Sequence, residues 1–217
     1  AEVLAGPVPV RPGPRALAVT QDRLVEKSFV RDLGIPVPPF AAIDDEASLI
    51  AASTAIGAPC VMKTRRFGYD GKGQAKLSAP AGRDAAIEAL ASVGRAPSIL
   101  EAFVDFEAEV SIVAARALDG SFAAWDLAGN EHRNHILAVT TVPAAAPDFV
   151  ADEAAAHAKR IADALDYVGV FAVEFFLARD GTLLVNEIAP RVHNSGHWTI
   201  EGAETSQFEQ HIRAIAG

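Results

Sequence analysis

Two apolar segments near the end of the chain constrain its fold most strongly, because each carries a glutamate near its centre. Residues 170–177 and 182–188 predict strands, and the Asp-Gly pair at 180–181 predicts a two-residue hairpin turn between them. In that register, Glu174 faces Glu187 directly across the hairpin. Directly opposed side chains lie about 4.5–5.5 Å apart at Cβ, where like charges are destabilising. The fold must therefore place something cationic near the pair, since an unpaired buried charge is unfavourable.

A hard divalent cation suits this arrangement. Glu174, Glu187 and the side-chain oxygen of Asn186 match the preference of Mg²⁺ for a couple of protein carboxylates, with phosphate oxygens and water completing its shell. A nucleotide is therefore expected nearby. The alternative is that one glutamate lies exposed at a strand end while the other pairs with an arginine such as Arg191. The pairing alone leaves both interpretations open.

Charge and composition exclude several classes of partner. The chain has 19 Lys and Arg against 28 Asp and Glu, a net charge of −9, and its one basic cluster, residues 63–66, is too small to form a nucleic-acid groove. Half of the residues are apolar, but no apolar run approaches the ~20 residues that cross a bilayer. The proline-rich start does not suit a signal peptide. We expect a cytoplasmic protein with no membrane or nucleic-acid partner.

Helices and strands are mixed along the chain without strict βαβ alternation. This pattern predicts α+β architecture with a mainly antiparallel sheet. Residues 1–19 carry four prolines and predict an extended linker or the tail of a preceding domain. Helices are expected from the Thr20 N-cap to Gly34, from Asp44 or Asp45 to Gly57, and at 83–93, 152–165 and 206–215. Further strands are expected at 60–63, 75–77, 98–103, 107–117, 121–127 and 136–142.

A glycine-rich stretch lies between the first two of these strands. Residues 68–73 contain three glycines, whose backbone amides can approach an anion closely, and Lys72 lies among them. The stretch is not a P-loop, because no Ser or Thr follows the lysine. It is predicted to be either a phosphate-binding flap or a long hairpin loop. Lys63, at the end of the preceding strand, is placed to meet a phosphate.

A polar segment follows the second glutamate strand, at residues 189–198. Its position directly after a predicted metal-binding strand indicates substrate handling. We expect Arg191 to bind an anion and His193 to transfer or orient a proton. His193 and His197 would bind zinc together only on a helix, and Gly196 argues against one.

These motifs, taken in order, resemble the ATP-grasp superfamily and, within it, the family of N5-carboxyaminoimidazole ribonucleotide synthases. The resemblance runs from about residue 15 to the end of the chain. Its motifs are Gln21-Asp22-Arg23, Val61-Met62-Lys63, the stretch 68–74, residues 101–104, Glu109-Val110-Ser111, Asn186-Glu187 and the highly discriminating segment 189–198.

The resemblance implies two lobes that clamp ATP, at 20–104 and 105–217. The phosphates would meet Arg23 and Lys63 under the glycine-rich stretch, the backbone of 101–104 would read adenine, and Glu109 would hold the ribose. Glu174 and Glu187 would bind Mg²⁺, with Mn²⁺ as an alternative. The implied ATP contacts are Arg23, Lys63, Gly68, Tyr69, Asp70, Gly71, Lys72, Gly73, Gln74, Glu101, Ala102, Phe103, Val104, Glu109, His132, Asn186 and Glu187.

The reaction implied by the resemblance is a step of de novo purine biosynthesis. Bicarbonate would be joined to the exocyclic amine of 5-aminoimidazole ribonucleotide through carboxyphosphate, while ATP becomes ADP and phosphate. The implied substrate contacts are Tyr69, Asp70 and Lys72 on one side and Arg191, His193 and Asn194 on the other. Asp70, Lys72, Arg191 and His193 are the expected catalytic residues, with Asp70 or His193 accepting the amine proton.

Two departures from the family pattern affect these expectations. The family usually has arginine at the position of Lys72. The lysine keeps the positive charge but lacks the planar guanidinium fork of arginine. The family's N-terminal domain and C-terminal lobe have no counterpart in these residues, so the chain is expected to bind ATP yet turn over poorly. Family members are commonly homodimers. The alternatives are a formate-dependent glycinamide ribonucleotide transformylase, more distantly a biotin carboxylase, and a non-catalytic ATP-binding fragment.

Overall fold

The computed structural model describes residues 9–68 and 72–217. Its helices are α1 (Pro14–Thr20), α2 (Arg23–Asp32), α3 (Glu46–Ile56), α4 (Arg83–Ser92), α5 (Asp148–Leu165), α6 (Thr199–Gly202) and α7 (Gln207–Ala216), with a 3₁₀ turn at Asn194–Gly196. Its strands are β1 (Phe40–Ile43), β2 (Cys60–Thr64), β3 (Gln74–Leu77), β4 (Ser98–Ala102), β5 (Phe106–Arg116), β6 (Phe122–Ala124), β7 (Ala128–Arg133), β8 (Ile136–Thr141), β9 (Gly169–Ala178) and β10 (Leu183–Ala189).

Within the described residues the strands form two sheets. The smaller has the order β1-β4-β2-β3, and the larger has the order β10-β9-β5-β7-β8, with β6 also paired to β5. The strand pairs described are all antiparallel, which confirms the predicted α+β architecture. Helices α3 and α4 pack on the smaller sheet, while α5 contributes Val150, Ile161 and Leu165 to the core of the larger one.

Residues 14–22 differ from the prediction. Helix α1 forms where an extended linker was expected, because Pro14 occupies its first turn, where a missing N–H does no harm. Helix α2 is capped by Asp22 rather than Thr20, since the Asp22 carboxylate accepts hydrogen bonds from the N–H groups of Leu24 and Val25. Residues 1–8 of the predicted linker lie outside the described residues.

Helices α1 and α2 belong to the core of the larger sheet. Ala16 and Val30, and Ile35 just after α2, are buried in that core. Ala16 was expected in the linker, and the other two residues were expected in the first lobe. The expected boundary near residue 104 falls in the connection between β4 and β5, and this two-lobe division stays a prediction.

Local signals located most of the other elements. Asp45, one of the two predicted caps, caps α3, and Gly57 ends this helix as predicted. Helix α7 begins next to Ser206, close to its predicted start. Helix α5 begins at Asp148, four residues before its predicted start at 152. Strands β1 and β7 were not predicted, because both are short and β7 has a largely polar sequence with no apolar alternation.

The hairpin of β9 and β10 confirms the glutamate pairing but not the predicted turn. The Ala178 N–H donates to the Thr182 carbonyl, so three residues rather than two form the turn. A register shift between Val185 and Glu187 then restores the alignment, and Glu187 faces Glu174. This shift is a β-bulge, in which one strand carries an extra residue.

No helix in the described part of the chain is long and apolar enough to span a membrane.

Candidate active site

A polar cleft of about 520 Å³ lies between the two sheets. Side chains from α2, from the glycine-rich stretch and from both glutamate strands line it. Of the predicted site residues, the lining includes Arg23, Lys63, Gly68, Lys72, Gly73, Gln74, Glu109, His132, Glu174, Asn186, Glu187, Arg191, His193 and Asn194. Glu101, Ala102, Phe103 and Val104 are not among the lining residues, and Tyr69, Asp70 and Gly71 lie outside the described residues. The fold thus brings together residues that lie far apart in the sequence.

Each of the two facing glutamates has its own partner. Arg23 Nη1 donates to Glu187 Oε2 at 3.1 Å, and His193 Nε2 lies 2.9 Å from Glu174 Oε1. Burial alone would raise the pKa of Glu187, but Arg23, together with Lys63 and His193, outweighs burial and lowers it. Arg191, the alternative partner from the sequence, instead donates to the carbonyl of Val192. The predicted cationic neighbour is therefore real, but it comes from α2.

Hydrogen bonds fix the orientation of the His193 ring. The Ser195 N–H donates to His193 Nδ1 at 3.3 Å, so this nitrogen is an acceptor and the proton is assigned to Nε2. Nε2 then donates to Glu174. Behind the ring, Ser195 Oγ lies 2.9 Å from Nδ1, Ser111 donates to Ser195 at 2.7 Å and Asn130 donates to Ser111 at 2.8 Å. This buried chain orients His193, and through it the Glu174 carboxylate.

A buried ion-pair network holds Lys63 at the cleft. Lys63 Nζ donates to Glu101 Oε2 at 2.8 Å, and Lys27 Nζ lies 3.9 Å from the same oxygen. Burial would raise the pKa of Glu101, but the two ammonium groups lower it to about 2. Within residues 9–68 and 72–217, the other Glu101 oxygen is buried without a hydrogen-bond partner. The Glu101 side chain therefore positions Lys63, whereas the predicted adenine contact concerned its backbone.

The glycine-rich stretch is anchored at both ends. The Thr64 N–H donates to the Gly73 carbonyl at 2.8 Å, and Gly73 has a φ of +70°. A Cβ on Gly73 would lie 2.7 Å from Thr64 Oγ1, so this position requires glycine for local packing. On the other side, Asp22 accepts hydrogen bonds from Arg65 at 2.8 and 2.9 Å and from Arg66 at 3.2 Å.

Glu109 and His132 are brought into contact by neighbouring strands β5 and β7. The Glu109 carboxylate pairs with His132 Nδ1 where both line the cleft. Burial is the main cause that raises the pKa of Glu109, and the negative charge of Glu174 adds to it. The two residues expected beside the nucleotide therefore lie together, although their individual roles stay predictions.

The sequence interpretation missed Glu26 and Lys27. Both side chains are almost fully buried on α2, at 2% and 1% exposure. Lys27 Nζ donates to the Val185 carbonyl at 2.9 Å, and Glu26 Oε2 accepts from the Ile188 N–H at 3.2 Å. Burial, followed by the Glu187 charge, raises the pKa of Glu26 to about 8. Their spacing after Arg23 puts them near one helix face, a signal that was available in the sequence.

The donor set fits a hard divalent ion. Among the residues that the structure describes, no group of three or more His, Cys, Asp or Glu residues is arranged to hold a metal. Mg²⁺ does not require one, because one or two carboxylates with phosphate oxygens and water complete its shell. The contacts to Arg23 and His193 use one oxygen of each facing carboxylate. Glu174 and Glu187, with Asn186 beside them, therefore fit Mg²⁺.

Comparison with known proteins gives the family. The model of the ATP-grasp domain matches residues 28–208. The chain belongs to the ATP-grasp family. This ATP-grasp chain is 52% identical to the N5-carboxyaminoimidazole ribonucleotide synthase of Brucella melitensis biotype 1, over all of the chain and 60% of that protein.

Solved structures agree with this family. The N5-carboxyaminoimidazole ribonucleotide synthetase of Thermus thermophilus matches with a TM-score of 0.92 and 47% identity, over 100% of this chain and 58% of that one. The Aspergillus clavatus N5-carboxyaminoimidazole synthase, solved with ADP and 5-aminoimidazole ribonucleotide, matches with a TM-score of 0.90 and 28% identity, over 99% and 56%. The ATP-grasp chain thus spans about 60% of the length of the Brucella relative.

Proposed function

We propose that this ATP-grasp chain carries the nucleotide- and metal-binding centre of an N5-carboxyaminoimidazole ribonucleotide synthase. The reaction is the ATP-dependent carboxylation of 5-aminoimidazole ribonucleotide with bicarbonate, giving ADP and phosphate through carboxyphosphate. The facing pair of Glu174 and Glu187 in a cleft with Lys63 and Arg23 carries this proposal. The relatives of that name, including one solved with ADP and 5-aminoimidazole ribonucleotide, support the choice of substrates.

The chain's own charges suit phosphoryl transfer to bicarbonate. Bicarbonate is a poor electrophile, so its oxygen must first take the γ-phosphoryl group of ATP. Lys63 and Arg23 are held by Glu101 and Glu187, so their charges are oriented before ATP binds. Glu174 and Glu187 would hold Mg²⁺ or Mn²⁺, and the ion would neutralise charge on the phosphate oxygens. Gly68, Gly73 and Lys72 would cover the phosphates from the glycine-rich stretch.

The acceptor amine would be carboxylated at the end of the cleft lined by Arg191 and Asn194. Arg191 would bind the anionic ribonucleotide, and Tyr69, Asp70 and Lys72 would face it from the glycine-rich stretch. His193 already donates Nε2–H to Glu174 and accepts at Nδ1, so it has no free lone pair for the amine proton. We therefore infer that Asp70 accepts this proton and that His193 orients Glu174.

The remaining inferences rest on the sequence and on its resemblance to the family. They are a cytoplasmic enzyme of purine biosynthesis, a homodimer as the full-length enzyme, adenine recognition by the backbone of residues 101–104, and two lobes divided near residue 104. Size-exclusion chromatography with light scattering on the full-length gene product tests the dimer, since a monomeric mass would contradict it.

ADP release tests the reaction. It is measured with Mg-ATP and bicarbonate, before and after addition of 5-aminoimidazole ribonucleotide, on this 217-residue chain and on the full-length product of its gene. We expect the ribonucleotide to stimulate ADP release by the full-length product. Glu174→Gln should abolish the stimulation, while Glu209→Gln on the exposed face of α7 should retain it.

Other outcomes would overturn the proposal. Stimulation by glycinamide ribonucleotide with formate, and not by 5-aminoimidazole ribonucleotide, would identify the transformylase instead. ATP binding without stimulation by either ribonucleotide, in both proteins, would leave an ATP-binding module. Stimulation confined to the full-length product, by contrast, would agree with the proposal and would locate part of the machinery outside these residues.

A further inference from the structure

The bulge in β10 decides which residue faces Glu174. The register shifts between Val185 and Glu187, so that Glu187 lies opposite Glu174. Without the extra residue, the three-residue turn would align Asn186 with Glu174 and would move Glu187 opposite Val173. An irregularity of one residue therefore determines whether the two carboxylates meet.

The outer edge of β10 is held by side chains from α2. Strand β10 lies at the end of the larger sheet, so β9 pairs with only one of its edges. On the other edge, the Val185 carbonyl accepts from Lys27 Nζ at 2.9 Å, and the Ile188 N–H donates to Glu26 Oε2 at 3.2 Å. The Val185 N–H also donates to the Pro36 carbonyl at 2.9 Å.

The spacing of these contacts matches the bulge. Backbone groups that face one edge of a regular strand recur every second residue, but Val185 and Ile188 are three apart. Both can face α2 because the extra residue lies between them. Buried backbone groups need hydrogen-bond partners, and Glu26 and Lys27 supply them to the two groups that face α2 in the bulged strand. In a regular strand these two groups would face opposite edges, so the same pair of side chains could not bond both.

The burial of these two ionisable residues also needs an explanation. Their side chains are 2% and 1% exposed, and apolar residues of similar volume are often at least as stabilising in such places. Lys27 also reaches toward Glu101 of the smaller sheet, with Nζ 3.9 Å from its Oε2, so one ammonium group contacts both sheets. A specific demand at β10 for a hydrogen-bond donor and acceptor accounts for two polar side chains at these buried positions.

We propose that Glu26 and Lys27 are positioning residues that hold the β10 bulge and thereby keep Glu187 opposite Glu174. The consequence for metal binding rests on the proposed function, whereas the consequence for the strand register does not. Loss of either contact allows β10 to relax toward the regular register, which separates the two carboxylates.

The test compares four variants of the folded chain. Lys27→Met removes the donor but keeps an unbranched apolar stem, and Glu26→Leu removes the acceptor. Glu26→Gln keeps an acceptor oxygen for the Ile188 N–H and serves as the conservative rescue. Lys159→Met makes the same change as the first variant at an exposed position on α5.

Two readouts separate register from metal binding. Cross-strand nuclear Overhauser effects report whether the backbone of Glu174 lies next to Glu187 or next to Asn186. The loss of the free Mn²⁺ electron paramagnetic resonance signal, measured with ADP present, reports metal affinity without turnover. We expect Lys27→Met and Glu26→Leu to weaken Mn²⁺ binding by about 10-fold or more and to weaken the contact of Glu174 with Glu187. The Mn²⁺ affinity of Glu26→Gln and of Lys159→Met should stay within about 3-fold of that of the unmodified chain. This change is well below the effect of losing a residue that orients a metal ligand.

Distinct results would overturn the proposal. Folded Lys27→Met and Glu26→Leu proteins with unchanged register and Mn²⁺ affinity would do so, as would a Glu26→Gln protein as impaired as Glu26→Leu. If the unmodified chain binds no Mn²⁺ with ADP, the proposed function fails, and the register data alone decide the role of Glu26 and Lys27.

Hydrogen exchange of the unmodified chain covers the case in which neither disruptive variant folds. The Ile188 amide, held by buried Glu26, should then exchange as slowly as the Val185 amide, which is bonded to the Pro36 carbonyl. Exchange of Ile188 at the rate of an unprotected amide would refute the proposal, because the Glu26 contact would not persist.

Discussion

Replacing Glu101 by Gln removes the negative charge at the centre of the buried network. Glu101 is 2% exposed, and its carboxylate lies 2.8 Å from Lys63 Nζ and 3.9 Å from Lys27 Nζ. Glutamine has nearly the same shape but cannot neutralise either ammonium group. The fully buried Lys27 is therefore left without its ionic partner in the Glu101→Gln protein.

The size of the effect follows from the pKa of Glu101. The ammonium groups lower this pKa from 4.5 to about 2, and each pKa unit corresponds to about 1.4 kcal/mol, so the charged form stabilises the fold by about 3 kcal/mol. The pKa is lower in the folded than in the unfolded chain. The stabilisation is therefore present above pH 4.5 and is lost as the pH falls toward 2. Removing one partner of a buried ion pair commonly has a similar effect, about 3–5 kcal/mol.

Urea unfolding at pH 7, 5 and 3 measures this difference. We expect Glu101→Gln to lower the free energy of unfolding by about 3 kcal/mol at pH 7 and by clearly less at pH 3. The matched control, Glu209→Gln, breaks an exposed pair with Arg213 and should change stability by less than about 1 kcal/mol. An equal loss at pH 7 and pH 3 would refute the reasoning, because the loss could then not come from the charge of Glu101.

Three further changes test packing, hydrogen bonding and the site. Gly196→Ala would place a Cβ 2.5 Å from Oε1 of buried Gln207, whose side chain binds the backbone N–H and carbonyl of His193. Thermal unfolding should therefore show that the free energy of unfolding falls by about 2–4 kcal/mol, and an unchanged midpoint would contradict this contact. Tyr167→Phe removes a buried hydrogen bond of 2.9 Å to the Val170 carbonyl and should lower the free energy of unfolding in urea by about 1–2 kcal/mol, whereas no loss would show that the hydroxyl is unimportant. Glu187→Gln should lower ADP release by about 100-fold or more through loss of transition-state electrostatics, and full activity would exclude Glu187 from the site.

Local patterns predicted the elements whose signals lie within a few residues of one another. The cap at Asp45, the stop at Gly57 and the start of α7 next to Ser206 were placed correctly, because side-chain capping and positive φ depend on nearest neighbours. The same reasoning failed at Thr20 and for β7. Thr20 is the last residue of helix α1, so it does not cap α2. Strand β7 takes its strand geometry from its neighbours β5 and β8 rather than from its own polar sequence.

The candidate site was predicted in its composition but not in its contacts. Glu174 was correctly placed opposite Glu187, although the turn has three residues and the bulge restores the pairing. Arg23, the partner of Glu187, lies 164 residues away in sequence, and no periodicity connects the two. Lys27 shares a helix face with Arg23, but its contacts were not predicted, because a lysine on a helix is ordinarily solvated.

The sequence by itself determined the α+β class, the strands that carry the facing glutamates, the glycine-rich stretch and the segment around His193. These depend on side-chain periodicity, turn chemistry and residue types that are local in the chain. The tertiary structure alone decided which side chain meets each carboxylate, how the His193 ring is oriented and where β10 gains its extra residue. Arg23 meets Glu187, and Glu26 and Lys27 reach the backbone of β10, where helix α2 packs against the edge of that strand, because packing brings together residues that lie far apart in the sequence.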